Sequence, residues 1–524
     1  MMNKNLFTKT VFVGYQRRDW LIAVVISLFI LLIAGTQLTK GTSHIDAGDY
    51  AAYILTGKSI VDATYEEQIA KNYIMHPSTL PEEAVEGKLV YVWGYPLFLA
   101  LVYHLVGLDL VNYSTIIFYK LPSLFAFALA AGILYLFYRR FFTDSISVFL
   151  ALAFAASGNL MRLINWMYSD IVFLCLSCFT LWVAECFFDS FSVPENRRKV
   201  ALLGIGLGVL FWLTYETRLN GNTLIMISAA AHIIRLFRRR PRLTYRLSQT
   251  IVHISPYLTF FLLKIISEAI LLSATPNTSD IGDLTFEAIL SNIDYYFDLT
   301  TGYMDGISGI SNISLWPVLS IMLIIGLVKE GFTWKNIHLT FLLIGTYLVL
   351  ILLPYEQGLR YLANILPILL LYISLGGIYI FQWIVQTLSV SKKQLKTVLL
   401  IFSILCLLCM YIPIINTGIL NIHNDRQVGE TDVYSADAID LYRYVQEHTS
   451  VDDVIAYNKP RILSLNTGRL CIRPNRNGHI VEDADYYVYN SLLTRSMALH
   501  LEEGANMELC YENCYYSLYR IIKE

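Results

Sequence analysis

Charge is scarce in this chain. Asp, Glu, Lys and Arg make up 15% of its 524 residues and mean hydropathy is +0.52, whereas soluble domains carry roughly 25% charged residues. A soluble chain of this length would divide into two or three domains with polar surfaces, and too little charge is present to cover them. A basic excess is missing as well. The net charge of −2 argues against a nucleic-acid partner, because such proteins carry a strong Lys/Arg surplus. Glycine (29) and proline (14) are too few, and aromatics at 14% too many, for a collagen-like or disordered chain. No internal repeat or low-complexity tract stands out. What remains is an all-α polytopic membrane protein.

Cysteine adds little. Cys175, Cys178, Cys186, Cys406 and Cys409 lie in apolar stretches, where a free Cys acts as a small hydrophobe. Cys471, Cys510 and Cys514 allow one disulfide if the C-terminal segment is extracytoplasmic.

Hydrophobic segments near the length that crosses a bilayer occur at 20–38, 116–138, 145–161, 170–188, 200–214, 221–236, 250–272, 316–328, 337–354, 361–384 and 397–416. A further apolar stretch, 93–108, is short and opens on Trp93-Gly94-Tyr95-Pro96. Charge decides its topology. If it does not cross, the N-terminus, Arg139-Arg140, Arg197–Lys199, the Arg235–Arg246 cluster, Lys329 with Lys335, and Lys392–Lys396 all face one side, with 20 basic residues. The positive-inside bias makes that side cytoplasmic. A crossing at 93–108 would turn every cluster from Arg139 onward outward. The expectation is eleven spans plus a re-entrant or juxtamembrane segment. The first span reads as a retained signal anchor, the N-terminus is cytoplasmic and the C-terminal segment extracytoplasmic, in a plasma or bacterial inner membrane.

The charge balance marks a boundary near residue 424. Residues 425–524 hold 16 acidic and 10 basic residues, while residues 1–424 hold 25 and 29. The sequence thus divides into a multi-span part, 1–424, and a small α/β domain, 425–524. In the latter an amphipathic helix is expected from Ser435 to Glu447, with strands at 454–457 and 486–489. Two large outer loops follow from the topology. The first, 39–115, holds a helical piece from Ala47 to Ser59. The second, 273–315, has six acids and no Lys or Arg, and reads as a solvated loop.

Most charges in a membrane protein are cytoplasmic anchors, so those at the outer face are informative. Asp46 and Asp49 follow the first span, with Tyr50 beside them. A carboxylate there could act as general base on a hydroxyl, or cap the next helix. Asp170, after Ser169, opens the fourth span with the same two readings. Arg218 and Arg360 each stand alone in an outer loop. Lipid anchoring is the plain reading of such arginines, yet they oppose the inside bias, and the planar guanidinium suits phosphate. Lys88 and Arg162 are weaker candidates. Lys264 and Glu268, four apart in one span, read as a structural pair.

These residues resemble a family. Asp46-Ala47-Gly48-Asp49-Tyr50-Ala51 is similar to the D-E-x-x-Y-A that ends the first span of polyprenyl-phosphate-dependent glycosyltransferases of the GT-C fold. That group includes protein O-mannosyltransferases and the lipid A aminoarabinose transferase. Ala47 stands where the family has Glu, so the base falls to Asp46 or Asp49. Trp93-Gly94-Tyr95-Pro96-Leu97 resembles the family's Y-P-P-L segment in the first outer loop. Ser169-Asp170, Thr217-Arg218 and Arg360-Tyr361-Leu362 with Pro367 match further motifs, in order, through most of residues 1–420. The C-terminal segment carries none of them and is expected to add little to function.

The resemblance implies transfer of a sugar from a polyprenyl-phosphate donor to a hydroxyl or amine acceptor on a lipid, glycan or protein at the outer membrane face. Asp46, Asp49 and Asp170 would be the catalytic acids, with Asp46 the base. Arg218, Arg360 and Lys88 would hold the departing phosphate. Tyr50, Tyr95 and Tyr361 would line the substrate site. A single displacement would invert the anomeric carbon. The resemblance fixes no cofactor and leaves a divalent cation open, because some relatives use one. The competing reading is a transporter or flippase of lipid-linked saccharides, which would be expected to show internal repeats.

Overall fold

The structure, a computed structural model, describes residues 15–41, 48–74, 92–109, 114–190, 197–238, 247–270, 285–308, 316–333, 335–352, 358–388, 392–424, 428–430, 432–473, 484–491 and 507–523. The chain begins with α1 (Arg17–Thr36), α2 (Asp49–Val61), α3 (Tyr65–Ile74) and α4 (Gly94–Val106). A short 3-10 turn, Ile116–Lys120, runs into α5 (Leu121–Tyr138). Then come α6 (Asp144–Ala155), α7 (Gly158–Asn165), α8 (Ser169–Ser190), α9 (Arg197–Thr217), α10 (Gly221–Arg238) and α11 (Leu247–Ile270). Helices α12 (Phe286–Ser308), α13 (Trp316–Gly326) and α14 (Ile337–Leu352) follow, and a second 3-10 turn, Leu359–Ile365, leads into α15 (Leu366–Leu388) and α16 (Lys392–His423).

The protein is a multi-pass membrane protein. Among the described residues, six helices are long and apolar enough to cross a membrane, or seven if the bent pair α6–α7, broken by 51°, makes one span. The other expected segments are helical in α10, α11, α13 and α14. Helix α4 has 13 residues, a length of about 20 Å at 1.5 Å per residue. That is shorter than a hydrocarbon layer roughly 30 Å thick, as are α13 and α14. Helix α4 lies against α2 and α9.

Two expectations are corrected. The stretch 273–315 is not all loop: α12 occupies 23 residues of it, with Glu287, Asp294 and Asp298 on its exposed side. The helix of the first outer loop starts at Asp49 rather than Ala47. Gly48 is the N-cap, with no side-chain cap bond, so Asp49 does not cap α2.

The C-terminal segment forms a mixed sheet with two helices. Helix α17 (Ala436–His448) starts at Ser435, whose hydroxyl accepts from the Ala438 amide. β1 (Val454–Tyr457), α18 (Pro460–Thr467) and β2 (Leu470–Ile472) make a β-α-β unit, followed by β3 (Tyr486–Asn490), β4 (Met507–Glu512) and β5 (Tyr516–Ile521). The strand order is β2-β1-β3-β5-β4, with β1 parallel to β2 and β3, and β5 antiparallel to β3 and β4. The expected helix and two strands are present, and three further strands complete the sheet. Cys471, Cys510 and Cys514 are unpaired.

Apolar packing joins this segment to α2 and α4. Tyr50, Ile54 and Leu99 share one buried cluster with Tyr434, Leu441, Ile462 and Leu463. Burying side chains of this size stabilises such a contact by about 1.5–3 kcal/mol each. The sheet and its helices are therefore docked onto α2.

Candidate active site

Five separate stretches converge at one end of the helices: the start of α2, residues 168–170, the end of α9, the 3-10 turn at 359–365, and α18. Local chain geometry brings them together. Met167 adopts φ +55°, a conformation that non-glycine residues rarely take, at the middle of the three-residue gap between α7 and α8. Tyr168, Ser169 and Asp170 are thereby presented at that turn. The backbone at Gly94 approaches the last turn of α9 so closely that a Cβ there would stand 2.6 Å from the Glu216 carbonyl oxygen. This contact supports the Thr217-Arg218 corner.

Each carboxylate in the described site holds a guanidinium. Arg360 Nη1 donates to Asp49 Oδ2 at 3.1 Å, and Arg461 Nη1 to Asp49 Oδ1 at 3.4 Å. Arg218 pairs with Asp170, which is 3% exposed. The second oxygen of Asp170, Oδ2, is buried and accepts no hydrogen bond from the described residues. Both acids also sit in the first turn of a helix, where the positive end of the helix dipole favours negative charge.

Aromatic rings separate the cations. The Tyr361 ring centre lies 5.4 Å from the Arg218 guanidinium and 5.1 Å from that of Arg360. Arg360 also stands 5.0 Å from the Tyr168 ring, and its Nη2 donates to the Tyr361 hydroxyl at 3.1 Å. A ring face attracts a cation by about 0.5–2 kcal/mol, which offsets part of the repulsion between the two arginines. The hydroxyls of Tyr53 and Ser169 share a 3.2 Å hydrogen bond. Burial first, then the Asp49 carboxylate, pushes the Tyr53 hydroxyl up to about 12, so it stays neutral at physiological pH.

Beneath Tyr361 a cavity opens between α8, α10, α14 and the 3-10 turn, about 580 Å³ including its open mouth. Its walls are mostly apolar, with Ser177, Asn220, Thr346 and Asn364 as polar points.

Asp49, Asp170, Arg218, Arg360 and Tyr361 are thus brought together. Asp46 and Lys88 lie outside the described residues. Tyr50 and Tyr95 are fully buried. Tyr50 packs near Tyr434, and Tyr95 stands edge-on to Tyr53, so both sit behind the charged cluster. Arg162 is exposed on α7. Lys264 and Glu268 form a 3.5 Å pair four residues apart on α11. Among the described residues no three His, Cys, Asp or Glu side chains are grouped as metal ligands.

Two residues were not anticipated. Arg461 arrives from the C-terminal segment, which was expected to add little. Lys120, fully buried, donates from Nζ to the Thr39 carbonyl at 2.6 Å, to the Gly41 carbonyl and to Asn165 Oδ1 at 3.1 Å. It pins the chain where α1 leads toward Asp46. Its sequence signal is a lysine near the start of a hydrophobic segment, which also describes an ordinary interfacial anchor.

A helical membrane part with a charged cluster at one face and a small docked mixed sheet defines the class: this is an ArnT-like membrane fold. The chain is similar to ArnT from Cupriavidus metallidurans in the apo state, with a TM-score of 0.56 and 12% identity over 95% of this chain and 97% of that one. It is similar to ArnT bound to undecaprenyl phosphate, with a TM-score of 0.52 and 12% identity over 96% and 98%. It is also similar to the archaeal oligosaccharyltransferase AglB from Archaeoglobus fulgidus in complex with an inhibitory peptide and a dolichol-phosphate, with a TM-score of 0.52 and 11% identity over 91% of this chain and 70% of that one. No family's sequence profile matches the chain, and no curated protein matches it in sequence.

Proposed function

We propose that this protein is a membrane glycosyltransferase that moves a sugar from a polyprenyl-phosphate donor to a lipid, glycan or protein acceptor at the outer membrane face, with inversion. The observation that carries the reading is the pairing of Arg360 with Asp49 and Arg218 with Asp170 around Tyr361. Two fixed cations at one point suit a departing phosphate. They are held in place before the reaction, so no reorganisation is needed as negative charge develops on the leaving group. The similarity to proteins bound to undecaprenyl phosphate and to a dolichol-phosphate supports the donor class.

In this reading Arg218 and Arg360, with Lys88, neutralise the phosphate. Asp46 removes the proton from the acceptor hydroxyl or amine. Asp49, held by Arg360 and Arg461, is the alternative base. Asp170 holds Arg218 and offers its second oxygen to a sugar or acceptor hydroxyl. Tyr361 lines the cavity below. The topology is eleven spans in residues 1–424 with a cytoplasmic N-terminus, and an extracytoplasmic domain at 425–524.

The test is mass spectrometry of surface glycans and glycolipids from cells with and without the protein. One sugar addition is expected to vanish on deletion, to return with the wild-type chain, and not to return with a correctly inserted Asp46→Asn chain. Unchanged glycans on deletion overturn the function. Full rescue by Asp46→Asn overturns only the base assignment. Cysteine labelling near residue 110 is expected to report the outer side, and cytoplasmic labelling would refute the topology.

A further inference from the structure

Arg461 is 7% exposed and belongs to α18, a helix bounded by Pro460 at its first turn and by Gly468 at φ +72° just past its end. Apolar packing of α18 on α2 sets the place of this arginine. Ile462 and Leu463 share a buried cluster with Tyr50 and Ile54. The guanidinium is therefore carried to Asp49 by the docking of the sheet, not by the ion pair alone. There Arg461 takes Oδ1 at 3.4 Å while Arg360 takes Oδ2 at 3.1 Å. One guanidinium sits on each oxygen of a single carboxylate.

We propose that Arg360 and Arg461 form a two-arginine clamp for the phosphate of the lipid-linked donor, and that Asp49 occupies this clamp until the donor displaces it. The inference rests on the lipid-phosphate reading above and extends it to a residue of the C-terminal segment. A phosphodiester presents two charged oxygens on one centre, as a carboxylate does, and guanidinium groups grip both in the same manner. Arg461, with its side chain 9% exposed, needs an anion beside it, because an unpaired buried charge is costly. Asp49 is one such anion before the lipid arrives. Exchange is feasible because the Asp49 and Arg360 side chains are 27% and 24% exposed, so a displaced carboxylate regains water.

The experiment measures binding of undecaprenyl phosphate and of uncharged undecaprenol to the purified full-length chain in nanodiscs, by native mass spectrometry. Arg461→Gln is expected to weaken undecaprenyl phosphate about tenfold, the loss of one hydrogen bond to a charged group, and to leave undecaprenol unchanged. Arg461→Lys is expected to recover part of that loss. Asp49→Asn removes the competing charge and is expected to bind undecaprenyl phosphate severalfold more tightly than wild type. Unaltered binding by Arg461→Gln, equal weakening of both lipids, or looser binding by Asp49→Asn each overturns the clamp. The lipid-phosphate reading survives those results if the wild type prefers the phosphate over the alcohol. A wild-type chain with no such preference overturns both.

Discussion

Arg360 and Asp49 meet across 311 positions of sequence, Nη1 to Oδ2 at 3.1 Å. Arg360 also shares the Tyr361 ring with Arg218, which is itself paired to Asp170. Two ion pairs are thereby joined through one aromatic side chain.

Loss of Arg360 is expected to act on the donor. Arg360→Ala should raise KM for a polyprenyl-phosphate sugar by about tenfold, on the scale of one charge-assisted contact. KM for the acceptor should stay unchanged. Steady-state kinetics with each substrate varied in turn checks this, and unaltered donor kinetics would remove Arg360 from the phosphate site.

Asp170 and Arg218 should behave as one unit. Either Asp170→Asn or Arg218→Gln strands a buried partner and is expected to cost about 3 kcal/mol. The double variant should cost less than the sum, with a coupling of about 1–3 kcal/mol. Denaturation in detergent of the four proteins of the cycle tests it. Additive losses would mean that the pair is not coupled.

Gly94→Ala places a methyl group 2.6 Å from the Glu216 carbonyl oxygen. The α4–α9 contact must then open, at a cost of about 1–3 kcal/mol. The expected result is a lower thermal midpoint and reduced transfer, because the Arg218 corner lies just past that turn. A variant with wild-type stability and activity would show the contact to be dispensable.

Asp485 anchors the sheet in a pH-dependent way. Burial alone would raise its pKa. The 2.8 Å bond from Lys523 and the 2.9 Å bond from the Val454 amide outweigh burial and hold the carboxyl below its ordinary value. A depressed carboxyl pKa contributes stability above the ordinary carboxylate range, and that stability is lost as pH falls through the depressed value. Asp485→Asn should therefore speed amide exchange at Val454–Tyr457 at pH 7. The contribution is small, about 0.5 kcal/mol after solvent screening. The difference from wild type should shrink as the solution is made strongly acidic, and a difference that grows on acidification would reverse the sign.

Elements with a strong repeating pattern were legible from sequence. The hydrophobic segments are helical, and Val454–Tyr457 is a strand as expected. β2, with three residues, and the β4–β5 pair were missed. A three-residue strand carries too little alternation to read. The hairpin has Glu508 and Glu512 on a half-exposed edge, which weakens its apolar signal. The helix α12 was hidden by its acids, of which Glu287, Asp294 and Asp298 are exposed.

The same contrast governs the site. Asp170, Arg218 and Arg360 could be singled out because a charge stands out against an apolar background, where leaving it unsatisfied is costly. Arg461 could not, since a charged residue is ordinary in a polar segment. Composition and periodicity determined a multi-pass helical chain with rare charges at the ends of its hydrophobic segments. Only the tertiary structure decided which charges meet, because ion pairing at 3–4 Å depends on how α2, the 359–365 turn and the docked α18 pack. That packing joins side chains that are hundreds of residues apart.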